Sequence, residues 1–272
     1  MVGGSSQSDR KTGQRPVVLT IAGFDPSSGA GVTADLKVFA AHRIYGASAI
    51  TALTVQSTLG VRRAEPVSPE LLRETLDYLS ADLSFAGVKI GMLGTGEVAG
   101  VVAEFLEKSG ISAGRVVLDP VLRSSSGREL LSEDGVRRLK SHLLPRVGWV
   151  TPNSEELAVL ASVPVSSREA ILAAAARLAE RYPGLNVVVT GGHLDAPDDF
   201  LRTAGGETRW FAGERIETRA THGTGCAFSS ALLARLVLGE SPAEAVAAAK
   251  AYVAGAMRAA LPIGKGRGPV VL

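Results

Sequence analysis

Gly223 and Gly225 flank Thr224 inside the run Thr221-His222-Gly223-Thr224-Gly225-Cys226, and an alanine-rich helical pattern follows at once. At a helix start such residues let backbone N–H groups converge on one point, where the helix dipole favours an anion. Phosphate binding is one chemistry open to the segment. The other is a plain glycine-rich turn between strand and helix, which six residues alone favour, because such turns are common and few bind phosphate. Further polar or glycine-rich positions stand where strand-like runs end: Gly23 and Asp25, Gln56, Gly91-Met92, Asp119-Pro120, Asn153 with Glu156, and Gly191-Gly192-His193. In a parallel sheet those ends lie along one edge and share one cleft.

The frame that positions them is read from periodicity. Val17 to Ala22 is a β-branched run ending at Gly23, as in a buried parallel strand. Asp25 to Gly31 forms a loop, and Val32, Leu36 and Phe39 then recur at helical spacing over 32–42. The alternation continues with strands over 47–55, 88–91, 115–119, 149–151 and 186–190. Between them come helices over 69–83, 97–108, 133–144, 154–161 and 168–181, the fourth capped by Asn153 with Glu155 and Glu156 in its first turn. Three short alternating segments, 199–203, 207–211 and 215–218, predict an antiparallel ribbon at one side of the sheet. Helices over 225–239 and 242–261 close the chain. This rhythm predicts an α/β fold, one domain over residues 16–272, with a mostly parallel sheet covered by helices on both faces.

Composition narrows the partners. With 272 residues, 46% hydrophobic and 21% charged, the chain has the balance of a soluble globular protein. A formal charge of +2 without a basic block points away from nucleic acid and from membrane surfaces. The longest weakly polar stretch, 243–263, carries Glu244, Lys250 and Arg258 and reads as an amphipathic or buried helix. Residues 1–15 hold no apolar run, so a disordered tail rather than a secretory leader is expected. The single cysteine fits a reducing, cytoplasmic setting.

The segment from Leu19 to Lys37, LTIAGFDPSSGAGVTADLK, resembles the hydroxymethylpyrimidine/phosphomethylpyrimidine kinases of thiamine biosynthesis, members of the ribokinase-like superfamily. Also similar to that family, and in the same order, are Tyr45-Gly46, Ile50 to Gln56, Thr58 to Val61, Lys89 to Leu93, Asp119-Pro120-Val121, Ser126-Gly127 and Thr151-Pro152-Asn153 with Glu156. Gly191-Gly192-His193, Thr221 to Cys226, Lys250-Ala251-Tyr252 and Gly264 to Val270 extend the resemblance from Val17 to Val270. Such collinear agreement is far more specific than a lone glycine motif.

The resemblance implies a ribokinase-like three-layer αβα sandwich that uses ATP and Mg²⁺. It implies phosphorylation of 4-amino-5-hydroxymethyl-2-methylpyrimidine and of its monophosphate, and a homodimer with the antiparallel ribbon as contact. By the same resemblance Asp35 and Gln56 bind the pyrimidine edge, and Gly23, Ala30, Met92 and Val121 wall the ring. Gly223, Thr224, Gly225 and Cys226 receive the migrating phosphoryl group. Asn153, Glu156, Thr190, Gly192 and Lys250 serve the nucleotide, and Asp119 and Glu156 hold the metal through waters. The bare sequence reads Asp35 as an exposed helical carboxylate, Asn153 with Glu156 as a helix cap, and Lys250 as solvated. Cys226 either takes the substrate proton, with a thiol pKa lowered by the helix start, or presents only its N–H; the first is the expectation adopted.

Three positions depart from the family's usual pattern. Thr190 stands where many relatives have lysine, Ser28 where glycine is common, and Phe24 where a small hydroxyl residue is frequent. Phe24 crowding or stacking on the ring bears on substrate choice. Two further readings therefore stand beside the first: a pyridoxal or pyridoxine kinase of the same fold, and a pyrimidine-binding protein without catalysis.

Overall fold

Strand β1 (Val17–Phe24) sends alternate side chains into two separate apolar layers, because successive strand residues point to opposite faces. Val18 joins Val38, Phe39, Phe228, Leu232 and Val246 on one face. Leu19 and Ile21 join Leu72, Leu76, Val98, Leu157 and Ile171 on the other. A sheet that is apolar on both faces must be covered twice, and it is. One layer holds α1 (Gly31–Ala41), α7 (Thr224–Val237) and α8 (Pro242–Arg258). The opposite layer holds α2 (Pro69–Asp82), α3 (Gly96–Ser109), α4 (Glu133–Arg138), α5 (Ser154–Ala161) and α6 (Arg168–Arg181). The result is a three-layer αβα sandwich. These elements come from a computed structural model that describes residues 15–124, 127–191 and 197–272; apart from Arg15, the expected tail lies outside them.

The remaining strands are β2 (Tyr45–Ser57), β3 (Gly60–Pro66), β4 (Gly87–Ile90), β5 (Val116–Leu118), β6 (Trp149–Val150), β7 (Asn186–Val189), β8 (Asp199–Arg202) and β9 (Thr208–Phe211). Their order across the sheet is β3-β2-β1-β4-β5-β6-β7-β8-β9. The six strands from β2 to β7 in that order are parallel, while β3 pairs antiparallel with β2, and β8 and β9 form the antiparallel extension beyond β7. Chain direction away from the middle reverses between β1 and β4, a switch point where the loops after neighbouring strands diverge and leave a crevice.

Three sequence expectations change. Residues 215–218 are not a strand, and the ribbon is the pair β8–β9 alone. Strand β3 was not foreseen, because Arg62, Arg63 and Glu65 give an edge strand no apolar alternation; Gly60, at φ +126°, makes the turn that brings it back on β2. The helix expected over 133–144 stays regular only to Arg138, widens over Leu139–Leu143 and tightens over Leu144–Arg146, where Pro145 cannot donate to a preceding carbonyl. Among the described residues no helix is long and apolar enough to cross a membrane.

Candidate active site

Two loops meet over the switch point, backbone against backbone. The first follows β1. Asp25 folds it, its Oδ1 accepting from Ser27 N at 2.8 Å and Ser27 Oγ at 2.7 Å, and its Oδ2 accepting from Gly29 N at 3.2 Å and Ala30 N at 3.0 Å. Burial alone would raise the Asp25 carboxyl pKa; the hydrogen bonds from His222 and Ser27 outweigh it and hold the group below the usual carboxylate range. Gly31, at φ +61°, brings the chain so close to β1 that a Cβ there would lie 2.1 Å from Gly23 O.

The second loop is Thr221 to Cys226. His222 joins it to the first, with Nε2 2.8 Å from Asp25 Oδ2 and 3.0 Å from the Gln56 amide. A ring N–H donating to Asp25 leaves no lone pair for an amide N–H, so the amide oxygen of Gln56 is assigned toward His222 and its NH₂ toward Thr54 Oγ1, 3.2 Å from the same amide. Thr54 in turn donates to Phe24 O at 2.9 Å. Neither Asp25 nor His222 was placed in the site from sequence. Both belong to segments flagged as strand ends or loop motif, but only the fold shows that residues 197 positions apart meet.

Gly223 closes the second loop in the left-handed region, at φ +84°, and α7 starts directly after it with no side-chain cap. The first-turn N–H groups of Thr224, Gly225 and Cys226 have no partner within the helix, so they point outward at the helix's positive end. By contrast, Ser68, Thr95, Ser132, Asn153 and Ser167 cap α2 to α6 with their own side chains.

An apolar wall stands beside this start. Met92 packs with Ala52 and Leu130, and Val61, Ala64 and Val121 join them. A Cβ on Gly23 would come within 3.0 Å of the Met92 sulfur, so glycine keeps the floor flat. Gly23 and Met92 thus meet, Val121 packs against the same cluster, and Ala30 lies on the loop that follows β1. An open cleft of about 770 Å³ beneath the β2–β3 hairpin is lined by Gln56, Leu59, Val61, Arg62 and Arg128 among others.

The acids lie at the ends of β5 and β6. Asp119 is buried, and its Oδ2 accepts from Ser229 Oγ at 3.1 Å. Burial raises its pKa against the attraction of Lys89. Glu156 and Asn153 form a reciprocal cap: Glu156 N donates to Asn153 Oδ1 at 2.9 Å, and Asn153 N donates to Glu156 Oε2 at 3.0 Å. Burial first, and then the charge of Asp119, push the Glu156 carboxyl up to about 8. The cap expected from sequence is therefore present, and the same acid also faces Asp119. A buried and a half-buried carboxylate that resist ionising beside each other fit a divalent cation, whose charge removes both penalties. They are two, and no group of three or more His, Cys, Asp or Glu among the described residues forms a cage; Mg²⁺ characteristically takes one or two carboxylates and completes its shell with phosphates and waters.

Two expectations are corrected. Burial, outweighing the attraction of Lys89, pushes the Cys226 thiol up to about 12 instead of down, so it is protonated at neutral pH. Asp35 is not exposed and does not face the cleft. It is wholly buried, with Thr20 Oγ1 at 2.6 Å, Ser230 Oγ at 2.8 Å and Lys89 Nζ at 2.9 Å, and presents no oxygen to a ring. With Val32, Ala34, Val38 and Phe39, position 35 lies on the side of α1 that packs into the protein.

At the neighbouring strand ends, Thr190 N donates to Pro152 O at 3.0 Å, which draws the ends of β6 and β7 together. Lys250 is not solvated: its Nζ donates to Pro197 O at 2.7 Å and pairs with Asp199 at 3.0 Å, while Asp199 Oδ1 accepts from Gly191 N at 2.8 Å. Gly192 lies outside the described residues.

A mostly parallel αβα sheet with an uncapped helix start and paired carboxylates at one crevice defines an α/β kinase of the ribokinase-like kind. Comparison with known proteins makes this specific. Residues 25–271 match the phosphomethylpyrimidine kinase family. A hydroxymethylpyrimidine/phosphomethylpyrimidine kinase of Rhizobium meliloti (strain 1021) is 44% identical over 258 residues, covering 93% of this chain and 96% of that protein. The crystal structure of phosphomethylpyrimidine kinase from Clostridium difficile 630 is 32% identical with a TM-score of 0.78, over 89% of this chain and 99% of that one. Pyridoxal kinase from Staphylococcus aureus in complex with ADP is 31% identical with a TM-score of 0.86, over 95% and 93% respectively. The chain belongs to the phosphomethylpyrimidine kinase family and is a phosphotransferase.

Proposed function

We propose that the protein transfers the γ-phosphoryl group of ATP first to 4-amino-5-hydroxymethyl-2-methylpyrimidine and then to its monophosphate, in the cytoplasm and as part of thiamine biosynthesis. The observation that carries this reading is the meeting, at one crevice, of a flat apolar wall, an uncapped helix start and the paired carboxylates Asp119 and Glu156. Phosphoryl transfer asks for positioning and charge neutralisation more than for covalent chemistry. Gly23, Met92 and Val121 hold the ring with its hydroxymethyl oxygen toward α7. The N–H groups of Gly223 to Cys226 donate to the oxygens of the migrating group and gain strength as charge spreads over them. Cys226 acts as a protonated donor and through its N–H, not as a thiolate base. Asp119 and Glu156 hold Mg²⁺, which when bound neutralises the charge of the phosphates. Asp199, fixed by Lys250, shapes the nucleotide loop through Gly191.

Purified protein with ATP, Mg²⁺ and each pyrimidine is expected to release ADP and give the mono- and diphosphate in turn; no phosphorylated product from either sinks the reading. The S. aureus pyridoxal kinase aligns at a TM-score of 0.86, which keeps pyridoxal as the competing ring. We expect kcat/KM to favour the pyrimidine, and a higher ratio for pyridoxal reverses the assignment.

We also propose a homodimer. The exposed apolar side chains Leu53, Val55 and Leu59 sit on the β2–β3 hairpin, whereas the exposed residues of β9 in the ribbon expected as the contact are Thr208 and Arg209. Light scattering behind size exclusion is expected to give twice the chain mass of 28.1 kDa. A monomer for the wild type, or a dimer untouched by Leu59→Asp, rules out this contact.

A further inference from the structure

Lys89 on β4 is wholly buried, and its Nζ reaches both oxygens of Asp35, at 3.0 and 2.9 Å. Asp35 sits on α1 and also binds Thr20 of β1 and Ser230 of α7. Four elements of the fold therefore converge on one buried ion pair. The preceding residue, Ser229, is equally buried, and its Oγ lies 3.1 Å from Asp119. Consecutive serines, one turn beyond Cys226, thus dock α7 onto two different acids, and it is α7 whose first turn presents the anion-binding N–H groups. The ammonium also packs under the end of β4, where a Cβ on Gly91 would stand 2.9 Å from Nζ.

Stability gives little reason for this arrangement. Replacing a buried ion pair by uncharged side chains of similar shape is often neutral or favourable, because desolvation offsets the attraction. What an apolar pair cannot supply is an oriented charge pair whose carboxylate also holds α7, with its ammonium under the end of β4. We propose that Lys89 is a positioning residue for phosphoryl transfer: a buried cation that, through Asp35 and Ser230, sets the start of α7 and offsets the acids around it. Burial would lower the Lys89 pKa, but the charge of Asp35 and the hydrogen bonds to it more than reverse this, so the ammonium stays charged.

The inference rests on the reading of 223–226 as the phosphoryl-binding loop, and the test separates the two. Asp35→Asn/Lys89→Met removes both charges together while the introduced amide keeps acceptors and donors for Thr20 and Ser230. It is expected to melt within a few degrees of wild type, whereas Lys89→Met alone, with Asp35 left unpaired, melts far lower. In the double variant kcat is expected to fall about 10- to 30-fold with KM for the pyrimidine unchanged. Wild-type kcat in that variant makes the pair purely structural and overturns the proposal. If the double variant does not fold, Ser230→Ala decides: kcat lower by about threefold or more at unchanged KM supports the link to α7, and unchanged kcat overturns it. Absence of turnover in the wild type would instead strike the loop reading itself.

Discussion

Gly223→Ala is expected to lower kcat/KM by about 10²- to 10³-fold while the protein remains folded. Two effects add. The residue holds φ +84°, which costs an alanine about 1 kcal/mol. A Cβ there would also lie 1.8 Å from Gly29 O, an overlap with backbone that no side-chain rotation relieves. The second loop must therefore move away from the first, taking with it the N–H groups of Thr224, Gly225 and Cys226 and breaking the His222–Asp25 contact. Displacement of a catalytic group by about 1 Å is enough for a 10²-fold loss. Cys226→Ala is the informative contrast. It keeps the backbone donors and removes a thiol that is protonated at neutral pH, so kcat is expected to drop by only about tenfold, with the pH profile unchanged in shape. A loss in Cys226→Ala as deep as in Gly223→Ala, together with loss of the limb on which activity rises with pH, would make the thiol the base after all.

The parts of the molecule that follow from local pattern were legible in the chain. Near-continuous apolar runs such as Val17 to Ala22 and helical runs such as 32–42 give the layers, since burial on both faces leaves one architecture open. The glycines of the two loops were legible as candidates for the same reason that they matter: only backbone without a Cβ fits there. What local pattern does not encode is pairing at distance. Asp35 looks like any helical acid until Lys89, 54 positions on, is placed beneath it. His222 reads as one loop polar residue until Asp25 appears opposite. Cys226 shows the limit in another form, because a helix start favours the thiolate while the depth of burial, which sequence does not give, decides against it. Edge strand β3 escaped because an exposed edge carries charge where a core strand carries valine.

Glu156→Gln is expected to abolish most turnover and, at the same time, to stabilise the ligand-free protein at alkaline pH. The acid's pKa stands near 8 in the folded chain against an ordinary value of 4.5. A group raised on folding supports the fold fully below about pH 4.5, where both states hold the proton. Between there and about 8 the unfolded chain releases a proton that the folded one retains, so stability falls with rising pH, and above 8 the loss is complete. Asp119, raised by burial as well, adds to the slope with the same sign. Melting of the wild type without ligand is therefore expected several degrees lower at pH 8.5 than at pH 5, and the Glu156→Gln variant should flatten most of that difference. The introduced amide retains one carbonyl acceptor for Asn153 N, so the α5 cap survives. On the proposed metal role an uncharged amide would no longer offset the cation, and kcat with Mg²⁺ and ATP should fall by about 10²-fold or more. Proton release gives an independent reading. If Glu156 holds Mg²⁺ as proposed, wild-type protein at pH 7 sheds the Glu156 proton when it takes the metal with nucleotide, and the variant has none there to shed. Titration calorimetry in buffers of different ionisation enthalpy measures that number directly. Equal proton release from both proteins, or parallel melting curves across pH, would detach Glu156 from the metal and leave it only its role as the cap of α5.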